Sequence, residues 1–93
     1  MRLIIDTSKN EYIQLELEEV DSVEVESKYR QSEKLLPEID KLLVKNNYNI
    51  KDISEVVVND EGEGFSALRI GIVVANALAY ALGVPCKNKN GDE

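Results

Sequence analysis

Ninety-three residues are enough for one domain with a single modest core. Eighteen acidic side chains against eleven basic ones leave a formal charge of −7, which offers nucleic-acid backbone no general attraction. The lack of histidine removes imidazole as a general base or metal ligand, and a lone cysteine, Cys86, excludes an internal disulfide.

Met1 leads straight into a strand-like pattern, Arg2 to Asp6, so no signal peptide is expected. Asp6-Thr7-Ser8-Lys9-Asn10 reads as a turn. From Glu11 to Leu17 the chain alternates, with Ile13, Leu15 and Leu17 on one side and Tyr12, Gln14 and Glu16 on the other. That is a strand with one wet face. Val20 to Glu26 repeats the pattern, setting Val23 and Val25 against Ser22, Glu24 and Glu26. The three strands predict an antiparallel meander with a single dry face.

At Ser32 the period changes. Leu35, Leu36, Ile39, Leu42 and Leu43 recur at helical spacing against a charged opposite side, with Ser32 as the expected N-cap and Asn46-Asn47 as the stop. Pro37 is awkward near the first turn. Ile50 and Ile53 of the connector are expected to tuck under the helices. Glu55 to Asn59 reads as a buried parallel strand. A glycine-bearing loop, Asp60 to Gly64, then opens a helix from Phe65 to Leu82 that Gly83 and Pro85 close.

Only Arg69, Asn76 and Tyr80 of that helix are substantially polar, and its apolar character runs all round it, beyond what one face can bury. Its uncharged run after Arg69, about thirteen residues, is too short for a membrane span. Ala67, Gly71 and Ala75 form a small-residue stripe where another backbone could approach. Cys86 to Glu93 is expected to be a frayed tail following a domain of residues 1–85.

The order β-β-β-α-β-α, with right-handed crossovers, predicts a two-layer α/β domain. Its mixed four-stranded sheet has the order 3-2-1-4, and both helices lie on one face. The fourth strand would be an edge in need of cover.

Three segments together resemble the amino-terminal half of the TsaB (YeaZ-like) family. They are Leu3-Ile4-Ile5-Asp6-Thr7-Ser8, Gln31-Ser32-Glu33-Lys34-Leu35-Leu36-Pro37 with Ile39, Leu42 and Leu43, and Gly62-Glu63-Gly64-Phe65-Ser66-Ala67-Leu68-Arg69-Ile70-Gly71 running to Ala79-Tyr80-Ala81-Leu82-Gly83-Val84-Pro85. The resemblance implies a ribonuclease-H/actin-like half-domain and a place in tRNA threonylcarbamoyladenosine synthesis. It also implies a non-catalytic role, pairing through the two helices with a TsaD-like catalytic subunit that a TsaE-like ATPase joins, or with a second copy as a homodimer. The family's histidine is Gln31 here, and Glu63 stands where proline is usual. The family continues into a fifth strand after its Val-Pro, whereas this chain is expected to end in the tail.

The expected partner interface comprises Leu35, Leu36, Ile39 and Leu43 with Leu68, Arg69, Ile72 and Ala75. Asp6, Thr7, Ser8, Gly62 and Gly64 outline a vestigial phosphate loop. Around it Asp60, Glu61 and Glu63 would repel an anion, and no lysine follows as in a P-loop. No catalytic constellation, metal set or cofactor is expected, and neither nucleic-acid nor membrane binding. A cytoplasmic accessory protein is the leading reading. The alternatives are a residual nucleotide-binding, ATPase-like domain and a self-associating paralogue outside the pathway.

Overall fold

The computed structural model describes residues 1–9, 11–28, 30–61 and 65–89, with the side chains of Phe65 and Ser66 excepted. Strands β1 (Arg2–Asp6), β2 (Tyr12–Leu17) and β3 (Asp21–Glu26) form the meander. Helix α1 (Gln31–Lys45), a 3-10 turn (Ile50–Asp52), β4 (Glu55–Val58), α2 (Phe65–Leu82) and β5 (Cys86–Asn88) follow. The sheet order is β3-β2-β1-β4-β5, antiparallel within the meander and parallel from β1 through β4 to β5.

The fold is the expected α/β half-domain with one correction: the sheet has five strands. Cys86–Asn88 is not tail but a strand laid parallel on β4, with Val56 opposite Cys86 and Val58 opposite Asn88. The edge expected at β4 is therefore covered. One apolar residue among three hides the strand from hydropathy, because its pairing is made by backbone groups: the Val56 amide donates to Pro85 and the Lys89 amide to Val58.

Register explains the core. Leu3 lies opposite Leu17 and Val56, and Ile5 opposite Leu15 and Val58, so alternation sends all six to one face. Onto that face pack Leu35, Ile39, Leu42 and Leu43 of α1 and Ala75 and Ala79 of α2. Ile53 joins them at 2% exposure, but Ile50 is 40% exposed and does not tuck under, because the turn presents it outward. The valines of β3 are only half-buried, as befits an outer strand.

Both helices end alike. After α2, the Val84 amide donates to Ala79 and the Gly83 amide to Tyr80, with Gly83 at φ 71°. After α1, the Tyr48 amide donates to Leu43 and the Asn47 amide to Val44, with Asn47 at φ 63°. These are paired left-handed C-terminal caps. At the other end of α1 the expected N-cap moves: the cap residue is Arg30, with no side-chain capping bond, and Ser32 lies inside the helix. Pro37 is accommodated within α1. Among the described residues no helix is long and apolar enough to cross a membrane.

Candidate functional site

Two regions carry the residues that the sequence singles out. The first lies at the carboxyl ends of β1, β4 and β5, where open α/β sheets bind ligands. Asp6 ends β1 and is 8% exposed. Its Oδ1 accepts the Ser8 amide at 2.8 Å, an Asx turn. Its Oδ2 accepts Asn59 Nδ2 at 3.3 Å and Lys89 Nζ at 3.4 Å. Burial works to raise the pKa of this carboxyl, but the Ser8 and Asn59 hydrogen bonds and the Lys89 charge outweigh it and hold it below its ordinary value. Nearby, Asn88 Nδ2 donates to Asp60 Oδ2.

Thr7 is fully buried, and its hydroxyl donates to the Ala67 carbonyl of α2 at 2.7 Å. The groups expected of a phosphate loop are thus engaged with one another. Asp6 binds a cation supplied by the chain itself, and Thr7 ties the strand to the helix. Gly62 and Gly64 lie outside the described residues. The Lys89 contact is the feature that the sequence reading missed; two lysines just after Pro85 were its only signal.

The second region is the outer face of the helices. Of the expected interface residues, the core claims Leu35, Ile39, Leu43 and Ala75, each at 2% exposure or less. Leu68 is also buried, at 7%. Ile72 is half-buried, while Leu36 is 54% exposed and Arg69 is exposed. The small-residue stripe faces inward too, since Ala67, Gly71 and Ala75 are all buried.

On the opposite side of α2, Arg69, Val73, Asn76 and Tyr80 are exposed at spacings of four, three and four, which places them on one stripe. Val73 is 64% exposed and Tyr80 90%. A shallow groove of about 280 Å³ runs between the helices, lined by Ser32 of α1 and Arg69, Ile70, Val73 and Val74 of α2. Leu36 lies one turn from Ser32 and shares its face. The arrangement can take up apolar side chains from another protein.

Cys86 is half-buried in β5 rather than incidental to a tail, and burial pushes its thiol pKa up.

Comparison with known proteins agrees with this architecture. In solved structures the chain is similar to YeaZ from Pseudomonas aeruginosa, with 25% identity and a TM-score of 0.82 over 94% of this chain and 42% of that one. It is also similar to a protein described as uncharacterized with similarity to peptidase YeaZ from Pseudomonas aeruginosa, with 27% identity and a TM-score of 0.78 over 94% of this chain and 41% of the other. The chain therefore spans less than half the length of either relative. No curated protein sequence matches it. A family profile matches residues 24–88, more than two thirds of the chain. The chain belongs to the family of that profile, described as TsaD, tRNA N6-adenosine threonylcarbamoyltransferase.

Proposed function

We propose that this chain is a non-catalytic, TsaB-like accessory protein in the formation of threonylcarbamoyladenosine on tRNA. It acts by docking the outer face of α1 and α2 onto a TsaD-like catalytic protein or onto a second copy of itself, with a TsaE-like ATPase joining the assembly. A cytoplasmic setting goes with that role. The observation that carries the reading is the apolar stripe of Val73 and Tyr80 beside the groove at Ser32, with Leu36 exposed on the facing helix. Such side chains at helical spacing suit a helix-to-helix seam. Family membership and the likeness to YeaZ support the pathway.

The test is co-purification and light scattering with the TsaD-like protein of the same organism. A stable complex supports the reading; a chain that stays monomeric and binds no such protein contradicts it.

A nucleotide site at Asp6 is the competing reading. A metal–phosphate group there would have to displace Lys89 from Asp6. Calorimetry with ATP and Mg²⁺ separates the two, since heat of binding below millimolar nucleotide would favour the competitor. A paralogue outside the pathway is distinguished by failing to restore the modified tRNA in a TsaB-depleted cell.

A further inference from the structure

The two edges of the sheet are held differently. At one edge β3 pairs with β2 along all six of its residues and is joined to it by a short turn. At the other edge β5 pairs with β4 along only three. The strands inside that edge are anchored by buried side chains, since Leu3, Ile5, Val56 and Val58 are each 5% exposed or less. β5 offers little of that kind. Cys86 packs against the core but is half-buried, Lys87 is exposed, and Asn88 is half-buried.

Beyond its backbone ladder and Cys86, β5 is held by contacts with carboxylates. Lys87 Nζ lies 3.2 Å from Glu55 of β4, Asn88 donates to Asp60 just past β4, and Lys89 Nζ lies 3.4 Å from Asp6 of β1. The two lysine side chains are 52% and 47% exposed, so salt reaches and screens both pairs. Exposed ion pairs are individually weak, whereas buried aliphatic side chains are not.

Proteins open locally where buried apolar contact is least. We infer that β5 is a charge-held strap: Cys86 to Lys89 leaves β4 as a unit while the other four strands stay folded. In the closed form Lys89 supplies Asp6 with a cation from the chain itself. Release of the strap opens that carboxylate to cations from solution, so access to the carboxyl ends of β1 and β4 is coupled to the position of β5. None of this involves the outer face of α1 and α2, and the strap stands or falls apart from docking there.

The seam carries its own reporters. The Val56 amide donates to Pro85 and the Lys89 amide to Val58, so both lie between β4 and β5. The Asn59 amide donates to Ile5, between β4 and β1, and serves as the reference.

The experiment is amide hydrogen exchange of the whole chain, followed by NMR at fixed pH. Val56 and Lys89 are expected to share one protection factor, at least about tenfold below that of Asn59. Raising salt from about 20 mM to about 500 mM should lower the protection of the pair about twofold to fivefold and leave Asn59 unchanged. Lys89→Met and Lys87→Met, each shown to be folded by circular dichroism, should reproduce that loss at low salt and respond less to added salt. Equal protection at all three amides would mean that β5 leaves only when the domain unfolds. Protection at Lys89 more than about tenfold below that at Val56 would mean fraying from one end rather than release of a strap. Protection of the pair that ignores both salt and the lysine substitutions would mean that charge does not hold the strand. Each of these three results would overturn the inference.

Discussion

The Thr7 side chain stands directly on Gly71, so close that a Cβ at position 71 would fall within contact distance of the Thr7 hydroxyl. The same hydroxyl donates to Ala67 one turn earlier, which fixes the end of β1 to the inner face of α2. Gly71→Ala gains about 1 kcal/mol of helix propensity but must overpack a fully buried site. The expected net effect is a loss of about 1–2 kcal/mol in denaturant melts. In a Thr7→Ala background the crowding atom is gone, and Gly71→Ala should become neutral or stabilising. Equal effects in the two backgrounds would show that the two residues are not coupled.

The helix ends provide a matched pair of tests. Gly83 and Asn47 hold the same left-handed position after α2 and α1, and both are exposed. Gly83→Ala is expected to cost about 1–2 kcal/mol, because a Cβ strains that conformation even though open space surrounds it. Asn47→Gly should stabilise by up to about 1 kcal/mol, since it relieves strain that asparagine tolerates less well than glycine. Thermal melts check both signs.

Ser27 is fully buried, and its hydroxyl has no hydrogen-bond partner among the described residues. A polar group left unpaired inside a protein costs about 1–3 kcal/mol. Ser27→Ala is therefore expected to leave stability unchanged or raise it, against the usual direction for substitutions at buried positions. A loss above about 1 kcal/mol in urea denaturation would mean that the hydroxyl does find a partner in solution.

Asp6 sets an acid limit on stability. Its folded pKa lies below the ordinary value, so its contribution is fully present above the unfolded pKa, about 3.9, and is lost as pH falls through the lower folded value. Asp21 adds to the same limb, held low by Asn46 and Lys45. Asp6→Asn should lower stability at pH 7 and flatten the fall below about pH 4. A variant whose acid limb keeps the parent's slope would show that Asp6 is not shifted.

Much of the architecture was legible because burial follows pattern here. Alternation in β2 set Ile13, Leu15 and Leu17 on the dry face, and the helical spacing of Leu35, Ile39, Leu42 and Leu43 placed them on the inner side of α1. The inner and outer faces of α2 were not separable, because alanine, valine and isoleucine surround that helix. The packing of Thr7 on Gly71, with Ala75 and Ala79 in the core, shows which side is inside; it turns the small-residue stripe into core and leaves Val73 and Tyr80 outside. β5 was hidden because its three residues hold the sheet through backbone bonds, which leave little trace in side-chain type. Lys89, the residue after it, then changed the meaning of Asp6 from a phosphate-site carboxylate to one already paired within the chain.

The central claim, that the outer face of α1 and α2 is the working surface, is tested most directly by titrating the TsaD-like catalytic protein with the wild-type chain and with Val73→Asp in a calorimeter. Val73 is exposed and outside the core, so the variant should fold as the parent does. The expected result is a defined complex with wild type and affinity at least about tenfold weaker for Val73→Asp, while Glu24→Lys on the opposite side of the domain binds as wild type does. Equal affinity of wild type and Val73→Asp, or a wild-type chain that does not bind, would contradict the account.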